Sequence, residues 1–389
     1  MVILLILSPF SSITLISSKL KCQQYKIATM PLCCYPLCAQ DDILSLSSLK
    51  STHIGSVMIP KQSVGLQQFN HFDPSMVHGN FPQVDMLQLS PGEFRGWVFS
   101  EKVGEYRINA GSSNQAILCE GRYNPEMIHI GFILNSGHSA IVQAHEYRDD
   151  TVAVYRGAIP MHEVLPAHMV WVDIFTPEKS LMNDLPGFEK QTNESPRILI
   201  RDSREDLKSL IFLINECLSS SETPTTENRI QALLKNLLST RLDTQLDKRR
   251  FSKGDLFRMH LIEEFHILAQ THENTSLSLD EICTAVGMKS RTVQKIFQEV
   301  YGMGPTEYFR VRRLNGAYAD LLGGSGRVSK VALRRQFNHL GRFAGRYKRH
   351  FGESPNTTLS RAKSEKARDP GENASPGTDL SELDRYGLS

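Results

Sequence analysis

The last third of this chain repeats itself, and the repeat dictates much of what the chain can become. Phe297, Gly302 and Pro305 recur as Tyr347, Gly352 and Pro355, each 50 positions on, and Val293 recurs as Phe343. Upstream of the intervening turn the interval is 49, with Ile282, Cys283 and Gly287 matching Val331, Ala332 and Gln336. The turn absorbs the one-residue difference. Each copy reads as two short helices joined by a tight bend, a helix-turn-helix. Two in tandem predict an all-α domain carrying a pair of groove-sized helices, because a helix fits the DNA major groove and successive groove segments lie roughly 34 Å apart.

The charge distribution agrees with a polyanionic partner. The 389-residue chain has a formal charge of only +2, yet Ser276 to Arg361 holds 15 Lys/Arg against 6 Asp/Glu. Phosphate neutralisation and counterion release draw such a surface to nucleic acid. A solvated basic face would show the same count, so the helical repeat carries the argument.

Within the first unit, Leu256 to Ala269 is expected as a helix with Phe257, Leu261, Phe265 and Leu268 on its core face. Ser278 and Glu281 form an S-x-x-E capping box for the next helix, and Gly287 supplies a left-handed turn. The first reading helix then spans about Ser290 to Tyr301, with Val293, Phe297 and Val300 inward and Arg291, Gln294 and Lys295 outward. Arg can bond guanine O6 and N7 together, and Gln can do the same with adenine N6 and N7. Any exposed helix face is polar, but within a tandem helix-turn-helix these three are candidate base contacts. Pro305 suits the first turn of a long connecting helix striped by Tyr308, Val311, Leu314, Ala317 and Leu321. Arg310, Arg312 and Arg313 on that helix face the strand ends of the groove, unless one pairs with Glu307 or Asp320. The second reading helix starts near His339 and carries Arg342, Arg346, Lys348 and Arg349. His339 and Arg342 are assigned to bases, Arg335 and Lys348 to phosphates, and Arg346 shares the outward face.

These segments, GMKSRTVQKIFQEVYGMGPTEYFRVRRLNGA and FNHLGRFAGRYKRHFGESP, resemble the signature of the AraC/XylS family of bacterial transcription regulators. The resemblance covers about Asp255 to Arg361. It implies a seven-helix DNA-binding domain, activation through contact with RNA polymerase, and a β-barrel effector and dimerisation domain ahead of it. The family's base-contacting slots fall on Arg291, Gln294 and Lys295, then on His339 and Arg342. Three residues depart from the pattern. Lys289 stands at a usual Ser cap, which costs ~1 kcal/mol unless Ser290 takes over. Gly304 replaces a Ser, and Gln336 replaces a turn glycine, where a left-handed non-glycine costs roughly 1–2 kcal/mol.

Upstream, Met86 to Thr176 shows short apolar runs about ten residues apart, among them YRINAG, AILCEG, TVAVYRG and MVWVDIFT. That spacing predicts an antiparallel sandwich or barrel, which can hold a ligand or be filled by its own side chains. Arg204 to Leu218 and Ile230 to Leu242 carry apolar stripes at helical spacing, suited to covering a sheet or forming a homodimer seam. The expected fold is therefore α+β: an N-terminal antiparallel, cupin-like β-barrel with amphipathic helices, then a tandem helix-turn-helix. The expected domains are a non-structural extension at 1–60, a sensing and dimerising barrel at 61–245, a DNA-binding domain at 254–361 and a disordered tail at 362–389.

Seven cysteines without a CxxC pair argue for a reducing, cytoplasmic setting and against structural zinc. Met1 to Ser18 is apolar but lacks the basic start of a secretory signal, and Met58 is a plausible alternative start. No phosphate loop, nucleophile elbow or H-E-x-x-H is present. The expectation is thus a non-enzymatic regulator without cofactor or metal, its partners double-stranded DNA, RNA polymerase and an unidentified small-molecule effector. Two alternatives stand beside it: a cupin-type metal enzyme using His129, His138, His145 and Glu146, and a membrane-tethered regulator.

Overall fold

A computed structural model describes residues 65–77, 84–134, 139–142, 145–147, 151–157, 159–182, 197–200, 207–212, 223–244, 253–324 and 326–368, with short strands at 5–7, 13–15, 51–54 and 57–60. Met1–Lys50 and Ser51–Ser389 are separate compact units, and both the sheets and the helical repeat belong to the second. The extension before residue 51 is described only as a ladder of Leu5–Leu7 with Ile13–Leu15. The linker at 245–252 and the tail beyond 368 lie outside the described residues.

Beyond the Ser51–Ile54 and Val57–Pro60 ladder, twelve described strands follow: β1 (Leu66–Phe69), β2 (Val84–Gln88), β3 (Gly96–Val103), β4 (Tyr106–Ser113), β5 (Ile117–Arg122), β6 (Met127–Leu134), β7 (Ala140–Val142), β8 (His145–Tyr147), β9 (Val152–Arg156), β10 (Pro160–Leu165), β11 (Val170–Pro177) and β12 (Arg197–Ile200). They build two antiparallel sheets, ordered β12-β9-β6-β11-β4-β3-β1 and β8-β7-β10-β5-β2. Among the described strands no ladder joins one sheet to the other, so the expected closed barrel is observed as two open sheets. They share a core in which Met86, Ile117 and Cys119 of the smaller sheet meet Ile133, Ala153 and Tyr155 of the larger.

Strand alternation explains the rest. On the far face of the larger sheet, Ile108, Ile128, Ile130, Val172 and Ile174 pack against Ile230, Leu234, Leu237 and Leu238. Those leucines sit on helix Thr223–Thr244, so its stripe covers the sheet. The far face of the smaller sheet is also covered: Leu87, Leu118 and Val164 pack on the helical half.

The helical half comprises α1 (Lys253–Thr271), α2 (Leu279–Ala285), α3 (Ser290–Tyr301), α4 (Pro305–Leu322), α5 (Val328–Arg334), α6 (Leu340–Phe351) and α7 (Pro355–Arg368). Local chemistry sets most boundaries. Ser278 and Glu281 make the reciprocal capping box, with the Ser278 N–H 2.8 Å from Glu281 Oε2. Gly302 and Gly352 end the reading helices α3 and α6 in the left-handed region, at φ 68° and 76°. Gly287 turns at φ 65° and Gln336, as its alignment requires, at φ 59°.

Three expectations need correction. Phe257 is exposed, and the core face of α1 is Leu261, Ile262, Phe265 and Ala269, one step round the helix. Cys283, which the 49-residue interval matches with Ala332 and so places at a core position, is only half-buried where Ala332 is fully buried. Residues 362–368 continue α7 rather than starting a disordered tail. The helix gains purchase because Arg361 donates to Glu353 Oε2 at 2.6 Å and to the Tyr318 hydroxyl at 2.8 Å.

Candidate nucleic-acid interface

The two reading helices bury one stripe and expose the other. In α3, Val293, Ile296, Phe297 and Val300 are buried, while Arg291, Gln294, Lys295 and Gln298 are exposed. In α6, Phe343, Tyr347, His350 and Phe351 are buried, while Arg342, Arg346, Lys348 and Arg349 are exposed. Both helices start without a side-chain cap, their N-cap residues being Lys289 and His339. Ser290 is thus the first helical residue and does not replace the missing cap. Uncapped first-turn N–H groups remain available to an anion such as phosphate. His339, exposed at that boundary, precedes the helix face shared by Arg342 and Arg346.

Arg335 is paired within the protein. Its Nε and Nη2 donate to Asp320 Oδ2 and Oδ1 at 2.8 and 3.0 Å, and Nη1 lies 3.3 Å from Glu273. Burial works against the charged form, but Asp320 outweighs it and raises the guanidinium pKa. Among the arginines of α4, Arg310 bonds Glu307, Arg312 bonds Glu120, and Arg313 lies 5.1 Å over the Phe337 ring.

The α4 rod is buried nearly all round, by both heads and by the smaller sheet. Sequence patterning missed this docking. Buried Glu120 on β5 receives Arg312, and His266 Nδ1 and His162 Nε2 lie 3.1 and 3.7 Å from its Oε1. Burial pushes this carboxyl up, yet Arg312, then His266 and His162, hold it well below the usual range. Beside it, burial lowers His162 to about 4, and its Nε2 is 2.9 Å from the Tyr301 hydroxyl. A second polar joint binds the other head. The Gln88 N–H donates to Asn315 Oδ1 at 2.9 Å, and Asn315 Nδ2 returns a bond to Gln88 O at 3.0 Å. Gln88 Nε2 and the Gly92 N–H both donate to the His350 carbonyl, at 2.7 and 3.0 Å. That carbonyl belongs to the last turn of α6, where helix acceptors lack partners within the helix. The signal lay in polar residues at strand positions facing away from the sheet core, which in sequence resemble solvent-facing ones.

Residues 282–361 match the family profile described as a helix-turn-helix domain. The HTH-type transcriptional activator AarP of Providencia stuartii is 32% identical over 103 residues, covering 26% of this chain and 76% of that one. The chain belongs to the AraC/XylS family of transcription regulators. It is also similar to the XylDLEGF operon transcriptional activator of Pseudomonas putida, at 26% identity over 181 residues, 45% of this chain and 55% of the relative. The chain thus spans about half the length of such curated relatives. The AraC-like transcriptional activator CuxR aligns over 66% of this chain and 96% of its own at 14% identity and a TM-score of 0.36, too distant to support an argument. In this chain a sheet-rich N-terminal region precedes the helical C-terminal region that carries the family match. Among the described residues, no helix is long and apolar enough to cross a membrane.

Proposed function

We propose that this protein is a sequence-specific, DNA-binding transcription regulator of the activator type, working in the cytoplasm. The observation that carries the reading is the pair of uncapped helices in tandem units, each exposing Arg, Gln or Lys along one face. Ser290 lies at the phosphate-facing start of α3, and Arg291, Gln294 and Lys295 address bases in one groove segment. His339 and Arg342 address the next, with Lys348 on phosphate and Arg346 beside them on the DNA-facing side. Arg335 acts as a positioning residue, fixing the turn of the second unit through Asp320. Similarity to the operon activators supports positive control and contact with RNA polymerase.

Residues 61–245 serve in this reading as an effector-responsive, dimerising domain and 254–361 as the DNA-reading domain. Support for a ligand comes from buried polar groups on the larger sheet. Asn109 is fully buried with neither amide atom bonded, and the His129 Nδ1 likewise meets no hydrogen-bond partner. His129 Nε2 lies 2.7 Å from Asp173, and burial, then Asp173, pushes the nearby Glu163 carboxyl up. Unpaired buried amides are costly unless something meets them.

Selection of duplexes from a random library by the full chain tests the reading. It should enrich a bipartite motif with halves one helical turn apart, and a library left flat after repeated rounds would refute it. Arg291→Ala should relax preference at one position at a cost of about 1–3 kcal/mol, whereas Lys348→Ala should weaken all sites alike.

A further inference from the structure

Between the end of α3 and the flank of α6 lies an open hollow of about 570 Å³, walled by Arg310 of α4, by Arg346 and Arg349 of α6, and by Leu89 and Pro91 after β2. Glu307 is the one acid among its described lining residues, and it is already bound to Arg310. Adjacent to this wall is Arg313, whose Nε and Nη1 are buried with no hydrogen-bond partner. Burial, then the mutual proximity of Arg310, Arg313 and Arg346, lowers the pKa values of Arg310 and Arg313, so these three cations repel one another. Arg313 is the buried member of the three, whereas Arg310 keeps Glu307 and Arg346 is exposed beside Arg349, so the wall turns a net positive charge to the opening and suits an anion. A second groove, about 510 Å³, follows the outward face of α3 past Arg291, Gln294 and Lys295 to Thr306 and Glu307. Glu307 stands in both walls, so the two hollows adjoin, one beside α3 and the other beside α6.

We propose that the arginine-walled hollow is a phosphate notch, seating backbone phosphate of the DNA segment that bridges the two major-groove contacts. This rests on the DNA-reading function and extends it to Arg310 and Arg349. Guanidinium is suited to the task, since its planar fork bonds two phosphate oxygens at once. The notch also places DNA backbone against Leu89 and Pro91, the turn that leads from Gln88 to Gly92 and on to the α6 carbonyl.

Anisotropy titrations of the full chain with a labelled random-sequence duplex, repeated across KCl concentrations, test it. Arg310→Gln and Arg349→Gln should each flatten the slope of log K against log salt by about 0.9, the value of one phosphate contact. Both should weaken every sequence alike, and Arg349→Lys should keep most of the slope. If the wild type binds duplex but both Gln variants keep its slope, the notch is wrong and the DNA-reading function stands. If the wild type binds no duplex at any salt, the function itself fails. Octanoate is the probe for a small amphipathic anion. Stabilisation of the wild type but not of Arg349→Gln by octanoate, with the salt slope unchanged, would make the hollow a small-molecule site and overturn the notch.

Discussion

The two helix-turn-helix units share a plan but not a source of order. The first is written locally: a capping box at Ser278 and Glu281, then a glycine turn at φ 65°. The second has neither. Its opening helix α5 starts at an uncapped Arg327, and Gln336 occupies the left-handed turn at φ 59°. Its order comes from outside the unit, through Arg335 on Asp320, Arg313 over Phe337, and Gln88 on the last turn of α6, whereas in the first unit the outside contact of His162 with Tyr301 adds to a local code. Local encoding lets a unit fold wherever it is placed. A unit clamped from outside depends on its neighbours and can be altered through them.

The comparison can be broken most forcefully at the joints. Glu120→Ala strands Arg312 in the interface and should cost about 3–5 kcal/mol in urea denaturation, since breaking a buried pair leaves an uncompensated charge. A loss under 1 kcal/mol would mean that this joint does not hold the halves together. Acid should act on the same joint. His162 is held near 4 by burial, against an ordinary 6.5, with Glu120, His266, Arg312 and Tyr301 around it. A depressed histidine pKa means that the unfolded chain takes up the proton first, so stability falls as pH drops from about 6.5 toward 4. Glu120, also depressed, loses its contribution only as pH falls below the ordinary carboxylate range, so the two act in the same direction. Melting temperatures between pH 7.5 and 5 should decline, and less so in His162→Gln.

Finer tests separate the units. Asp320→Ala should destabilise by about 1–3 kcal/mol by freeing Arg335, with hydrogen exchange rising in α5 and α6 but not in α2 and α3. Swapping the turns gives opposite signs: Gln336→Gly should stabilise by up to about 1 kcal/mol, and Gly287→Gln should destabilise by roughly 1–2 kcal/mol. Ser278→Ala, which removes the cap, should cost about 1 kcal/mol. Equal responses in the two turns would erase the distinction drawn between them.

What was legible in the sequence was whatever local chemistry encodes. The 50-residue interval, the glycine caps, Pro305 at a first turn and the capping box all depend on neighbours within a few residues. Strand β10 escaped notice because it opens on Pro160 and places His162 and Glu163 mid-strand, a pattern that does not alternate. Its outer face meets protein rather than water, so polarity there reflects pairing. The joints were unreadable for the same reason: Gln88 finds Asn315 and His350 across more than two hundred residues, and Glu120 finds Arg312. Phe257 misled because an aromatic at helical spacing looks internal until the packing angle of α1 is known. Arg335 was assigned to phosphate from charge and position, which cannot reveal that Asp320 lies beneath it.

The α4 rod is wedged between two cores, Tyr308 and Phe309 in one and Leu314, Tyr318 and Leu321 in the other, and is gripped along its length. In the proposed reading, α3 and α6 carried on this rod act as a fixed ruler. One base pair inserted between the two contacted segments would turn the far one by roughly 34–36° out of phase, and the protein could not follow. Operators for this regulator should therefore vary in letters but hold their spacing constant.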